Sequence, residues 1–277
     1  MAYNNHMTIP EINPNQSIAL LQELHILTRD GKLNQDSRRK LKQVHHLVQF
    51  ISPLIEEVRQ KNPDFSLVDH GAGKSYLGFI LYDLCVKQVA AGQVIGIETR
   101  ADLVQKSREL AERLDFPRMA FHHLSVEDSM QSSLLPEKVE IVTALHACNT
   151  ATDDAIRFGL QKQAEFMVLV PCCQAEVASE LRQHKAQMLA KTALSELWRH
   201  PMHTREFGSH LTNVLRCLQL EAHGYQVTVT ELVGWEHSMK NELIVARNLH
   251  QPKRSAKLRL QEVLQQFGLE SLSERFA

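Results

Sequence analysis

The sequence predicts an α/β fold with a mostly parallel sheet, and three observations support this. Short apolar runs, such as FSLVD at 65–69 and QVIGIE at 93–98, recur along the middle of the chain. Segments with helical spacing separate them, which is typical of a parallel sheet covered by helices on both faces. The last two apolar runs, YQVTVTELVG and NELIVARN, have only WEHSMK between them. That link is too short for a parallel crossover and predicts an antiparallel hairpin.

Two helices are predicted before the sheet, in an N-terminal helical extension that covers residues 1–62. Residues 16–30 carry apolar side chains at helical spacing, and Gly31 is expected to end this helix. A second helix is predicted over 36–60, with Asp36 as its cap and a bend at Pro53.

The sheet domain is predicted over residues 63–250. Its five parallel strands are expected at 65–69, 93–98, 118–124, 139–147 and 165–173. The helices between and after them are expected at 74–90, 100–114, 152–163, 174–191 and 206–222, the last one ended by Gly224. The hairpin strands follow at 225–234 and 241–248, and residues 251–277 have the pattern of a basic, helical C-terminal tail.

Composition narrows the class of protein. The 277 residues carry a formal net charge of −1, so the overall charge argues neither for nor against nucleic acid as a partner. No apolar run approaches the roughly 18 residues of a membrane helix, so no membrane association is expected. The polar start of the sequence and its odd number of cysteines, 5, predict a cytoplasmic protein. Nothing in the sequence indicates an oligomeric state.

The segment LVDHGAGKSYLGF contains a glycine loop directly after the first strand. A phosphate-binding loop of the G-x-x-x-x-G-K-[ST] type is excluded, because its first glycine would have to stand at Val68. A dinucleotide fingerprint, G-x-G-x-x-G, is weakened because Tyr76 occupies the third glycine position. What remains is D-x-G-x-G, formed by Asp69, Gly71 and Gly73.

This pattern fits S-adenosylmethionine as the ligand. The two glycines and the intervening Ala72 allow the backbone to approach a ligand closely. Asp69 can accept a hydrogen bond from the ammonium group, directly or through water, whereas a pyrophosphate would be repelled there. Glu98, followed by Thr99, ends the second strand, where a carboxylate can accept both ribose hydroxyls. The alternative for Glu98 is a carboxylate at the start of the next helix.

The third strand leads into LSVEDS at 124–129, which is expected to be a loop beside the adenine ring of the cofactor. The candidate contacts in this loop are Ser125, Val126 and Glu127.

The fourth and fifth strands end in LHACNTATDDA and VPCCQ. Ligands on open α/β sheets bind beyond the carboxyl ends of the strands, so a common crevice is predicted for His146, Cys148, Asn149, Cys172 and Cys173. A zinc site is disfavoured because there is no C-x₂-C pair, and no metal is expected. The cysteines are alternatively nucleophiles, or small residues that shape the floor of the crevice.

The combination of DHGAGKSYLGF, IGIE, LHACNTATD, VPCCQ and SMKNELIVARN resembles a family of class I S-adenosylmethionine-dependent methyltransferases with H-x-C-G and P-C-C motifs. The family includes the methyltransferase half of the glutathione-transferase C-terminal-domain protein and, more distantly, the tRNA acceptor-stem ribose methyltransferase. The resemblance covers about residues 40–248 and implies a Rossmann-like sheet. It places Asp69, Gly71 and Gly73 at the cofactor, and His146 and the three cysteines at the reaction crevice. Asn149 departs from the usual glycine of the family.

The resemblance implies methyl transfer to an oxygen or nitrogen atom, with His146 as the candidate base because its ordinary pKa is near neutral. Asp153 either orients a partner or stabilises a helix N-terminus. RNA is the leading acceptor class. A protein or small-molecule acceptor, and a non-catalytic binding module, are the alternatives. Candidate substrate contacts are Arg38, Lys42, Gln43, Lys240 and Asn241, together with the basic tail residues Lys253, Arg254, Lys257 and Arg259.

Overall fold

The computed structural model describes residues 12–145, 150–171, 175–184, 196–197, 199–232 and 242–277. These residues fall into two compact units. The first contains the described residues up to 65 together with 72–123, and the second contains 66–71 and the described residues from 124 onward.

The described elements alternate between strands and helices as predicted. The strands are β1 (Ser66–His70), β2 (Gln93–Glu98), β3 (Met119–His123), β4 (Ile141–Leu145), β5 (Phe166–Val170), β6 (Tyr225–Glu231) and β7 (Glu242–Asn248). The helices are α1 (Ile18–Glu23), α2 (Gln35–Lys61), α3 (Tyr76–Leu81), α4 (Ala101–Arg113), α5 (Val126–Gln131), α6 (Ala151–Gln161), α7 (Glu176–His184), α8 (Pro201–Ala222) and α9 (Arg254–Gln266).

The strand order is β3-β2-β1-β4-β5-β7-β6 in a seven-stranded sheet. In the first unit β2 runs parallel to β3, and in the second unit β1, β4 and β5 run parallel. Strand β7 is antiparallel to β5 and forms a hairpin with β6. The predicted fold class, five parallel strands followed by an antiparallel hairpin, is therefore confirmed.

The first helix of the N-terminal extension is much shorter than predicted. It ends at Glu23 rather than near Gly31, and His25 takes a left-handed conformation with φ 55°. The backbone N–H groups of Ile26 and Leu27 then both donate to the carbonyl of Leu21, so the chain folds back on the helix. The apolar spacing was misleading because Ile26 and Leu27 are buried by this turn and not by a further helical turn.

The second helix is confirmed, with a corrected start. Its cap is Asn34, whose side-chain oxygen accepts a hydrogen bond of 2.8 Å from the backbone N–H of Ser37. Asp36, the predicted cap, lies in the first turn, where a carboxylate still suits the positive end of the helix dipole. Pro53 lies inside the helix.

Helix α3 continues directly into a π-helical turn over Tyr82–Val86, in which the N–H of Lys87 donates to the carbonyl of Tyr82 at 2.7 Å. The buried carboxylate of Asp83 in this turn accepts a hydrogen bond of 2.7 Å from the backbone N–H of Ser17. Ser17 is the cap of α1. The π turn is therefore hydrogen-bonded to the residue at which α1 begins.

The C-terminal tail is an integral part of the second unit. Leu260 and Leu264 of α9 are buried in an apolar cluster with residues of α7 and α8, and Phe276 lies in the same cluster. Helices α7 and α8 approach closely at Gly208, where an added Cβ would lie 2.7 Å from the Cβ of Ala178. Gly224 follows α8 with φ 95°, as predicted for the residue that ends this helix.

No helix in the described part of the chain combines the length and the apolar composition needed to cross a membrane.

Candidate functional site

The glycine loop has the backbone conformation that its sequence predicts. Gly71 and Gly73 have φ values of 67° and 57°, in the left-handed region that glycine adopts without steric penalty. A Cβ built on either residue meets no atom within 4 Å. The two glycines are therefore required by the backbone conformation, and the space beside them is open to a ligand.

The loop is attached to the end of β2 by two hydrogen bonds. The backbone N–H of Ala72 donates to the carbonyl of Ile97 at 3.0 Å. The N–H of Gly73 donates to Oε2 of Glu98 at 2.8 Å. Ser75, which is buried and has φ 51°, then turns the chain into α3. The loop consequently has a fixed position relative to the Glu98 carboxylate.

The Glu98 carboxylate also organises the start of α4. Its Oε1 accepts hydrogen bonds from the backbone N–H of Arg100 at 3.0 Å and from Oγ1 of Thr99 at 3.2 Å. Glu98 therefore has the helix-start role, and three of the about four acceptor positions of its carboxylate are occupied, which leaves about one for a ribose hydroxyl. The Glu98 side chain is 12% exposed, which leaves part of it accessible.

Asp69 is almost completely buried and does not lie at the end of its strand. It is the fourth of the five residues of β1, and only 2% of it is exposed. Its Oδ1 accepts a hydrogen bond of 2.9 Å from Oγ1 of Thr143, its neighbour in the parallel register of β1 and β4. The expectation that Asp69 ends the strand is therefore wrong by one residue, since β1 extends to His70.

The segment after β3 is helical and not the predicted loop. Ser125 is the cap of α5, and its Oγ accepts a hydrogen bond of 3.1 Å from the N–H of Asp128. Val126 and Glu127 form the first turn. The signal in the sequence was Ser125 with acidic residues two and three positions later, which is typical of a helix start.

The predicted substrate residues of α2 are at the surface. Arg38, Arg39, Lys40 and Lys42 are exposed, and Gln43 is half-buried. Lys240 and Asn241 lie outside the described residues.

The predicted catalytic residues also lie outside the described part of the chain. This applies to His146, Cys148, Asn149, Cys172 and Cys173. Within the described residues, no group of three or more His, Cys, Asp or Glu side chains is arranged to hold a metal ion.

The two described cysteines have poorly reactive thiols. Burial raises the pKa of the Cys85 thiol to about 11. Burial, together with Glu242 and Glu221, raises the pKa of the Cys217 thiol to about 12. Because the thiolate is the reactive form, neither residue has the properties of a nucleophile.

A buried ion pair that the sequence did not predict holds Asp153. The Nε of Arg216, in α8, lies 2.6 Å from Oδ1 of Asp153, at the start of α6. Arg216 also donates to Asn213, which in turn donates to Glu242 at the start of β7. Asp153 therefore lies in the first turn of α6 and is also held by Arg216, and only the apolar surroundings of Arg216 in the sequence hinted at its burial.

Comparison with known proteins identifies the family. A family model described as "Methyltransferase domain" matches residues 39–180, just over half of the chain. The bovine glutathione S-transferase C-terminal domain-containing protein (Bos taurus) is 26% identical over 235 residues, which covers 78% of this chain and 34% of the relative. The Drosophila melanogaster homologue is 25% identical over 236 residues, covering 77% of this chain and 37% of the relative. The chain thus spans about a third of the length of these relatives.

A putative O-methyltransferase from Klebsiella pneumoniae has a similar structure, with 13% identity, a TM-score of 0.49 and coverage of 87% of this chain and 93% of that one. The family match, which includes the glycine loop and Glu98, decides the assignment. The chain belongs to the methyltransferase-domain family, which places it among the class I enzymes that take their methyl group from S-adenosylmethionine.

Proposed function

We propose that the glycine loop and Glu98 bind S-adenosylmethionine for transfer of its methyl group to RNA. The observation that best supports the binding site is the hydrogen bond from the N–H of Gly73 to Glu98. It brings a glycine backbone with open space beside it next to a carboxylate that can bind a ribose hydroxyl. Gly71, Ala72 and Gly73 line the ligand with their backbone, and Glu98 accepts from a ribose hydroxyl, with Thr99 beside it.

The second carboxylate that we assign to the cofactor is Asp69. Its buried carboxylate keeps one oxygen in the hydrogen bond with Thr143. We assign to this negative charge the attraction of the ligand's ammonium group through an intervening water. Ser125, Val126 and Glu127 supply the first turn of a short helix on the adenine side, in place of the loop expected there.

In the reaction, the bond from the sulfonium to the methyl carbon breaks while an O–CH₃ or N–CH₃ bond forms, which leaves S-adenosylhomocysteine. Since the methyl group is already activated, the protein mainly positions and desolvates the acceptor. The acceptor's proton passes to a base, and we assign this role to His146. Cys148, Asn149, Cys172 and Cys173 shape the crevice around the acceptor, with no metal involved.

RNA is the acceptor class that the charged surface favours. Arg38, Arg39 and Lys40 form an exposed cationic turn at the start of α2, which suits contacts with phosphates. Lys42 and Gln43 continue this turn, and Lys240 and Asn241 complete the assigned substrate contacts. In the tail, Lys253, Arg254 and Lys257 are exposed, whereas Arg259 donates to Glu221 at 2.8 Å and is therefore a weaker candidate.

The experiment compares the modified nucleosides of RNA from cells with and without the gene by mass spectrometry. Loss of one methylated nucleoside, restored by the wild-type gene but not by a Glu98→Gln gene, is the expected result. An unchanged RNA profile together with a lost methyl group on a protein or small molecule would redirect the proposal to that acceptor class.

A binding experiment tests the cationic turn directly. Replacing Arg38, Arg39 and Lys40 with alanine should weaken RNA binding and reduce the salt slope by about one unit per lost phosphate contact. The matched control is Arg59→Ala with Lys61→Ala at the other end of α2, where the cations contact Glu56 and Glu57 at 2.7 and 3.1 Å. Equal RNA affinity and salt slope in both variants would exclude this turn as an RNA contact.

We also propose a cytoplasmic location, from the odd cysteine number. Fluorescence microscopy of the tagged full-length protein tests it, and enrichment in another compartment would contradict it.

A further inference from the structure

A cavity of about 280 Å³ lies beside the residues that follow the glycine loop. Three elements of the first unit line it: the end of α1, the start of α3 and one side of α4. Its size is close to the lower end of the range for small-molecule sites, about 300 Å³, and suits one nucleoside-sized group. None of the roles assigned above uses it.

The floor of the cavity is apolar. It is formed by Leu24, Leu103 and Leu110, which are 5%, 7% and 8% exposed. Tyr76, the first residue of α3, adds a half-buried aromatic ring to the wall. A flat, apolar-faced group such as a nucleobase can stack on this ring and pack against the leucines.

The rim of the cavity is cationic. Lys74, Lys106 and Arg113 line it, against the single lining carboxylate of Glu23. Arg113 contacts Glu23 at 2.9 Å and Lys106 contacts Asp102 at 3.4 Å, so these charges balance each other in pairs, and the exposed Lys74 supplies the remaining positive charge of the rim. A ligand with an apolar ring and a negatively charged group fits both the floor and the rim.

We propose that this cavity binds one single-stranded nucleotide of the acceptor RNA, with its base on Tyr76 and its phosphate at Lys74. The inference rests on the proposed function and specifies where the RNA is held. Lys74 and Tyr76 lie within three residues of Gly73, so the proposed nucleotide contacts begin directly after the cofactor loop in the sequence. RNA with an unstacked base is therefore the expected substrate.

The test measures binding of a fluorescein-labelled single-stranded RNA oligonucleotide to the full chain at several salt concentrations. Tyr76→Ala should weaken binding about tenfold through loss of base stacking, whereas Tyr76→Phe, which keeps the ring, should bind as the wild type does. Lys74→Gln should lower the salt slope by about 0.7, the value for one phosphate contact to a single strand. The control is Lys138→Gln, an exposed lysine that does not line the cavity.

A second experiment crosslinks the wild-type protein to the same oligonucleotide carrying 4-thiouridine and identifies the crosslinked peptide by mass spectrometry. Because no variant is needed, the result does not depend on whether a variant folds. A crosslink to the peptide with Lys74 and Tyr76 supports the proposal. RNA binding that is unaffected by either substitution, with crosslinks only elsewhere, overturns the cavity but leaves RNA as the acceptor. Absence of RNA binding by a wild type that still binds S-adenosylmethionine in calorimetry overturns both the cavity and the RNA acceptor, but not the methyltransferase.

Discussion

Arg216 and Asp153 form a fully buried ion pair: their Nε and Oδ1 atoms are 2.6 Å apart, and their side chains are 0% and 6% exposed. The pair connects the middle of α8 with the start of α6. Two buried charges stabilise a fold only while each has its partner, because an isolated buried charge is strongly unfavourable.

Removing Asp153 should therefore destabilise the protein severely. Asp153→Ala leaves the Arg216 guanidinium without its carboxylate, and the free energy of unfolding should fall by about 3–5 kcal/mol. Urea unfolding followed by circular dichroism measures this change. Arg157→Ala is the matched control, since it breaks a pair on the same helix between the exposed Arg157 and the half-buried Asp154, and it should change stability by less than about 1 kcal/mol. Similar losses in the two variants would contradict the importance of burial.

Replacing a glycine of the loop with any other residue should be unfavourable. Gly73→Ala places a Cβ on a residue with φ 57°, and the left-handed backbone should destabilise the protein by about 1–2 kcal/mol. Gly31→Ala is a control with the same type of strain, since Gly31 has φ 75° and open space around it. In calorimetry, only Gly73→Ala should also weaken S-adenosylmethionine binding, because its Cβ points into the ligand's space. Gly71→Val should abolish that binding. Equal cofactor affinity in the Gly73 and Gly31 variants would exclude Gly73 from the site.

Glu98→Gln should weaken cofactor binding without unfolding the protein. The amide keeps the shape of the side chain but removes the charge, and its NH₂ group cannot accept from one of the two backbone N–H groups that donate to Glu98. A hydrogen bond to a charged group contributes about 1.5–3 kcal/mol. The dissociation constant for S-adenosylmethionine should therefore rise by roughly one to two orders of magnitude. Asp102→Asn, an exposed carboxylate in the first turn of α4, should leave it unchanged. NAD should not bind either protein, and preferential binding of NAD would contradict the assignment.

Asp83 should give the protein a pH-dependent stability. Burial raises the pKa of this carboxyl above 3.8, opposed by the hydrogen bond from Ser17 and the charge of Lys87. The folded protein therefore binds more protons than the unfolded chain just above pH 3.8, so the free energy of unfolding decreases as the pH rises through this window. Asp83→Asn should show a smaller decrease, since the amide does not titrate. Burial also raises the pKa of Asp154, and the contribution of Asp154 to the pH dependence is the same in both proteins. Identical pH profiles would disprove the role of Asp83.

Elemental analysis of the purified protein should find no stoichiometric metal, because the cysteine spacing is wrong for zinc. Cys148→Ser and Cys172→Ser should reduce activity only in part. About one zinc per chain, or a covalent adduct at either cysteine with complete loss of activity, would contradict these expectations.

The parts of the fold that follow from local patterns were predictable from the sequence. The strands were located by their apolar runs, and the hairpin by a link too short for a crossover. Two predictions were wrong because the local sequence pattern was compatible with two different backbone structures. The spacing of Ile26 and Leu27 suits a helix, but a turn at His25 buries both side chains without one. Conversely, the short polar segment after Ser125 resembled a loop, although a capping serine made a helix possible.

The long-range contacts were not accessible from the sequence. The pair formed by Asp153 and Arg216 joins residues that are 63 positions apart. The carboxylate of Asp83 likewise holds an amide 66 positions away. Such contacts depend on how helices pack, which periodicity does not specify, so the cavity beside Tyr76 was also missed. The cofactor loop was predictable because its requirements are backbone conformation and a neighbouring carboxylate, both of which are local.

The turn at Ser75 connects the proposed cofactor loop with the proposed RNA cavity, and it therefore bears on how binding of one ligand changes binding of the other. This buried residue, with φ 51°, lies between Lys74 and Tyr76 and two positions after Gly73, so the loop and the wall of the cavity share one short stretch of backbone. Any displacement of the loop by the cofactor is then transmitted to the wall of the cavity. By thermodynamic linkage, the factor by which the cofactor changes RNA affinity must equal the factor by which RNA changes cofactor affinity. A difference in RNA affinity between the protein with S-adenosylmethionine and the protein with its demethylated product would then equal the factor by which bound RNA changes the preference of the loop between these two cofactors.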